Sequence, residues 1–123
     1  MRVLTFGIKS FEDVFRDVED AFDAIRLKRP FPPRKGVYFT SLEAARNFLT
    51  AKRLGLLRLI KTWHPNSIYR LAKLARRSFP SVLRDVELLE RHGLLRLSNT
   101  KGSRRKSVTP AVGYDAINLW IPV

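Results

Sequence analysis

The chain has 123 residues, 45% of them apolar, enough for one domain with an extension and a modest core. Its 24 Lys and Arg against 11 Asp and Glu give a formal charge of +13, which favours a polyanionic partner because each phosphate neutralised releases condensed counterions. No cysteine is present, which excludes disulfides, thiolate metal sites and a Cys nucleophile. No stretch is long enough to span a bilayer and the opening is too short for a signal-peptide core, so no membrane partner and a cytoplasmic, nucleoid-associated setting are expected.

The charge is unevenly placed. Residues 1–25 hold three basic residues against six acidic ones, a net of −3, and the remainder holds 21 basic and 5 acidic residues, a net of +16. In residues 2–8, Leu4, Phe6 and Ile8 alternate with Val3, Thr5 and Gly7, the period of a strand. Ser10 opens a helix with Asp13 placed to complete the cap. Phe11, Val14, Phe15, Val18, Phe22 and Ile25 form one helical stripe, with the acidic residues on the opposite face. Arg26 to Gly36 contains three prolines and reads as a linker. Residues 1–35 are therefore an N-terminal strand, acidic helix and linker suited to dimerisation or partner binding, and residues 36–123 form the main domain.

Val37-Tyr38-Phe39 reads as a short strand, and Thr40-Ser41-Leu42-Glu43 as a capping box for a helix reaching about Leu49. Thr50 caps a helix that is apolar nearly all round (Leu54, Leu56, Leu57, Leu59, Ile60). Pro65-Asn66-Ser67 leads into a helix over residues 68–77, with Ile68, Leu71, Ala72 and Ala75 inward and Arg70, Lys73, Arg76 and Arg77 outward. A third helix, residues 78–91, is capped by Ser78 and tolerates Pro80 in its first turn. Phe79, Val82, Val86 and Leu89 make its core face, with Leu88 also buried, and Ser81, Arg84, Glu87 and Arg91 lie roughly opposite. His92-Gly93 stops it, and a strand over residues 94–97 leads into a basic hairpin over 99–106. Ser107 and Val108 return along a second strand that Pro110 to Gly113 breaks, and residues 116–121 alternate once more. Strands at both ends of the chain suggest a small terminal sheet, closed within the chain or across a dimer.

Three helices followed by a basic hairpin make a winged helix-turn-helix, within a mainly α, α+β fold. The expected use is double-stranded DNA binding, with helix 78–91 in the major groove. Arg84 is the leading candidate for base reading, since a guanidinium bonds guanine O6 and N7 together, and Ser81 is the second. The alternative for Arg84 is a solvated arginine paired with Glu87. Arg70, Lys73, Arg76, Arg77 and Ser78 are assigned to backbone phosphates. Lys101, Arg104, Arg105 and Lys106 form the wing, suited to phosphate or a narrow minor groove.

Residues 36–43 (GVYFTSLE), 49–54 (LTAKRL), 67–72 (SIYRLA), 84–89 (RDVELL) and 92–95 (HGLL) resemble a family of small prokaryotic winged-helix transcriptional regulators distantly similar to the MarR group. The resemblance extends to Leu4–Lys9 and to Tyr114-Asp115. It implies a repressor of its own operon, and for some such proteins an antitoxin paired with a toxin.

No enzyme, cofactor or metal site is expected. His64 lies in a loop and His92 at a helix C-terminus, where a cation is favoured. Neither has an informative neighbour, and their spacing matches no ligand pattern. A homodimer is expected because single helix-turn-helix modules gain affinity from two half-sites. Two alternatives stay open: an antitoxin acting by protein binding through its acidic helix, and a basic RNA-binding module.

Overall fold

A computed structural model describes residues 1–27, 37–99 and 108–123 of the chain. Its first elements are β1 (Val3–Ile8), α1 (Phe11–Arg26), β2 (Val37–Phe39) and α2 (Leu42–Phe48). Then come α3 (Ala51–Trp63), α4 (Ile68–Ala75), α5 (Phe79–Arg91), β3 (Arg96–Asn99), β4 (Val108–Ala111) and β5 (Ala116–Trp120). The fold is α+β, with two small sheets among five described helices. Residues 1–48 and 114–123 form one compact unit and residues 49–113 another, whereas the linker composition drew a boundary between 35 and 36.

In the first unit β1 is the central strand, in the order β2-β1-β5. A parallel neighbour needs a crossover connection, and the segment containing α1 supplies it between β1 and β2, which pair in parallel from Phe6 opposite Val37 to Ile8 opposite Phe39. β5 lies parallel on the other edge, from Val3 opposite Ala116 to Gly7 opposite Trp120. The terminal strands thus share a sheet within one chain. Asp115 fastens the join: its carboxylate accepts from the Arg2 amide at 2.9 Å, and its amide donates to the Arg2 carbonyl at 2.8 Å. Phe6 is fully buried, its ring 5.4 Å from that of Phe39, which is 5.6 Å from Phe48. That aromatic chain draws α2 to the sheet. Gly7 faces Tyr38 so closely that a Cβ would stand 2.6 Å from the ring.

Side-chain caps define the helices. The Ser10 hydroxyl accepts from the Asp13 amide at 3.2 Å. Thr50, Ser67 and Ser78 accept likewise from Arg53, Arg70 and Ser81. Each satisfies an amide that the first helical turn leaves without a partner. In α2 the cap is one residue later than the capping box implied, since Ser41 accepts from Ala44.

The second unit packs α3, α4 and α5 through Leu56, Leu57 and Ile60, Ile68, Leu71 and Ala72, and Val82, Val86 and Leu89. Just beyond the end of α5 at Arg91, Gly93 reverses the chain with a φ of 79°. The Leu94 amide then bonds the Leu89 carbonyl at 2.9 Å and the Gly93 amide that of Glu90 at 3.0 Å, a helix end closed by glycine in the left-handed region. Leu94 and Leu95 are buried, and β3 begins only at Arg96. β3 and β4 are antiparallel, from Arg96 opposite Ala111 to Asn99 opposite Val108. The Thr109 hydroxyl donates to the Asn66 carbonyl at 2.9 Å, tying β4 to the connection between α3 and α4.

Two expectations are corrected here. Phe79 is not in the core: it is the first residue of α5 and is 42% exposed, because the first turn overhangs the packed face. Pro110 does not break the second strand but pairs opposite Leu97 within β4. A proline lacks only the donor, and a strand with an open edge can spare one.

Leu89→Ala should lower unfolding free energy by about 2–5 kcal/mol, whereas Phe79→Ala should cost well under half as much; urea denaturation followed by circular dichroism checks both.

Candidate nucleic-acid interface

The inner face of α5 is fixed by Val82, Val86 and Leu89, each fully buried. Residues one step along a helix differ by about 100° in direction, so Arg84, two steps from the buried Val82 and two from the buried Val86, points away from the core. Arg84 is exposed, and its Nε lies 3.5 Å from the Pro80 carbonyl, a long contact that leaves the guanidinium in solvent. With Arg53, Ser81, Asp85, Glu87, Leu88 and Arg91 it lines a shallow depression of about 490 Å³.

At the floor of this depression the Asp85 carboxylate holds two arginines. Arg53 Nε from α3 donates to one oxygen at 3.1 Å, and Arg77 Nη2 from the α4–α5 turn donates to the other at 2.7 Å. Arg77 Nη2 also lies 2.7 Å from the Ser81 hydroxyl, which accepts from it. These side chains keep only 15–21% of their surface in water. Burial opposes ionisation of Asp85 and is the largest single influence, but the hydrogen bonds and charges of Arg77 and Arg53 together outweigh it. Its carboxyl is therefore held below the ordinary carboxylate range.

This clamp redistributes the candidate residues. Arg77, expected on the phosphate backbone, is turned inward: two of its bonds are internal and its Nη1 is enclosed without a hydrogen-bond partner among the described residues. Ser81, a base-reading candidate, is half-buried with its hydroxyl engaged by Arg77. Ser78 spends its hydroxyl on the α5 cap, accepting from Ser81 at 3.4 Å. Arg70, Lys73 and Arg76 are exposed on and just beyond α4, as the helical spacing implied. The wing candidates Lys101, Arg104, Arg105 and Lys106 lie outside the described residues.

Two features escaped the sequence reading. The first is the clamp, since nothing in a linear chain relates Arg53 to an aspartate 32 positions on. The second is Tyr69, which is exposed, with the Lys73 Nζ 4.7 Å from its ring centroid. That pair was readable, because positions i and i+4 share a helix face.

Arg76 adopts φ 56°, the left-handed region, and its amide bonds the Lys73 carbonyl while that of Arg77 bonds Ala72. Glycine is the usual residue at such a helix end. An arginine there costs about 1 kcal/mol of backbone strain, and an outlier kept despite its cost is a pointer to function.

The lowered Asp85 value sets a sign. The folded chain releases this proton more readily than the unfolded one, so the clamp contributes fully above the unfolded carboxylate range and is lost as pH falls through the folded value. Asp85→Asn should cost about 1–3 kcal/mol at neutral pH. It should also flatten the decline in stability between roughly pH 5 and pH 3, measured by urea unfolding at each pH.

No curated protein and no solved structure matches the chain. The family model HVO_A0114 matches residues 48–119, a span that takes in the whole of the unit carrying α3, α4, α5 and the β3–β4 pair. On that match the chain belongs to the HVO_A0114 family.

Proposed function

We propose that the chain is a sequence-specific, double-stranded DNA-binding transcriptional regulator of the winged helix-turn-helix kind, a MarR-like repressor of its own operon acting as a homodimer. The observation that carries this reading is Arg84: an exposed arginine on the outer face of a helix whose inner face is fully buried and whose neighbour Asp85 is clamped. In this reading α4 and α5 are the helix-turn-helix, and α5 enters the major groove with Arg84 bidentate on a guanine. Arg70, Lys73 and Arg76 contact phosphates. In this reading the antiparallel pair β3–β4 is the base of the wing, and the cations Lys101, Arg104, Arg105 and Lys106 in the intervening sequence suit phosphate or a narrow minor groove. The net +16 outside residues 1–25 supports a polyanionic partner. Arg77 belongs to the clamp and positions α5. The antitoxin role rests on the family resemblance alone.

The test is titration of labelled duplex carrying the protein's own upstream region, at two salt concentrations, against random duplex and structured RNA. The upstream duplex should be bound preferentially. Arg84→Ala should cost about 1–3 kcal/mol on it and little on random DNA. Arg70→Ala should weaken both alike and reduce the salt slope by roughly one unit. Arg76→Gly should raise the melting temperature by relieving its backbone while weakening binding to both duplexes. Structured RNA competing as well as the upstream duplex would overturn the reading in favour of an RNA-binding module.

A further inference from the structure

α1 is an amphipathic helix turned the wrong way round for a monomer. Its buried position is Ala24, with Asp13, Asp17 and Ala21 half-buried beside it. Asp17 is ion-paired with Lys9, which also stands 4.5 Å over the Tyr38 ring. Among the described side chains, what holds the helix to its own unit is a small residue and a charge pair. Its apolar stripe looks outward: Phe15 is 66% exposed, Val18 46%, Phe22 68% and Ile25 65%. With the aromatic areas involved this is roughly 400–500 Å² of apolar side chain in water, as large as the largest patch a soluble monomer carries.

The spacing and the flanking charges indicate what covers it. Phe15, Val18, Phe22 and Ile25 fall three, four and three apart, the 3.5-residue period of a seam between two helices rather than of one helix on a sheet. Glu12, Glu19 and Arg26 recur every seven residues along one flank of that seam. Two parallel copies would bring like ends together. Two antiparallel copies stack Phe15 on Ile25 and Val18 on Phe22, each contact occurring twice about a twofold axis. They also set Glu12 of each copy against Arg26 of the other, with the two Glu19 side chains meeting at the axis. Within the chain Arg26 bonds Asp23 at 3.2 Å, and its long side chain lies at the end of α1 where the partner's Glu12 would arrive.

We propose that α1 is the homodimerisation surface, pairing antiparallel with α1 of a second copy through Phe15, Val18, Phe22 and Ile25. This deepens the homodimer reading above and rests on it for its use in DNA binding, but pairing is measured without DNA, so failure of the one is distinguishable from failure of the other. The buried area is at the small end for a specific interface, so the dimer is concentration-dependent and of about micromolar affinity.

Sedimentation equilibrium of the full chain, free of nucleic acid, should show monomer and dimer exchanging over that range. Phe22→Asp should leave a monomer at tenfold higher concentration, with the melting temperature of that monomer unchanged. Glu12→Arg and Arg26→Glu should each weaken the dimer several-fold, and the double variant should restore it. A wild-type chain that stays monomeric at hundreds of micromolar overturns the proposal, as does a dimer indifferent to Phe22→Asp. Unfolding of the Phe22→Asp monomer overturns it too, because the stripe would then pack within its own chain. Failure of the double variant to restore pairing rules out the antiparallel arrangement.

Discussion

The Asp85 carboxylate is the constraint on which the geometry of the second unit turns. Apolar packing of Val82, Val86 and Leu89 presses α5 onto the unit's core, but hydrophobic contact is non-directional and tolerates rotation and slip. A carboxylate bonded at 3.1 Å to Arg53 and 2.7 Å to Arg77 tolerates little of either. It links α3, the α4–α5 turn and α5 through one atom group, and so sets the direction in which Arg84 leaves the helix. The clamp also resolves a problem that the composition creates. Two arginines in a strongly basic chain cannot be drawn toward the interior together without an anion between them, because their mutual repulsion would rise as water is removed.

The arginines therefore divide into two kinds that composition cannot distinguish. Arg53 and Arg77 are structural cations whose charges are answered inside the fold. Arg70, Arg76 and Arg84 leave theirs to solvent. In the proposed function only the second kind meets DNA, and the first kind fixes where they stand. Arg76 shows the same priority from the backbone side, holding a left-handed conformation where glycine would be easier.

The two units differ in what their surfaces ask for. The unit of residues 49–113 presents cations. The unit of residues 1–48 and 114–123 presents an apolar seam bounded by Glu12, Glu19 and Arg26. In the proposed dimer a twofold axis through α1 would give each assembly two DNA-reading helices, and two half-sites are what a single small module needs for useful affinity.

Local structure was legible in the sequence wherever the cause is local. Ser10, Thr50, Ser67 and Ser78 mark helix starts because a cap is a contact across three residues. Gly93 marks a helix end because only glycine takes a positive φ freely. Alternation located β1 and β5, and period 3.6 located the inner faces of α4 and α5. What the sequence could not supply is everything decided by residues far apart. The parallel pairing of β1 with both β2 and β5 and the Arg53 arm of the clamp join positions distant in the chain, and the inward turn of Arg77 toward Ser81 and Asp85 follows from how the α4–α5 turn sets it against α5. The outward turn of the α1 stripe belongs with them, since periodicity says that a helix has an apolar face but not which neighbour receives it. Which segments become helices and strands, and where charge accumulates, thus follow from hydrogen bonds and side-chain periods a few residues long. Which arginines are occupied and which are offered follows from the folded arrangement, because it depends on which guanidinium groups the chain brings within hydrogen-bond distance of the Asp85 carboxylate.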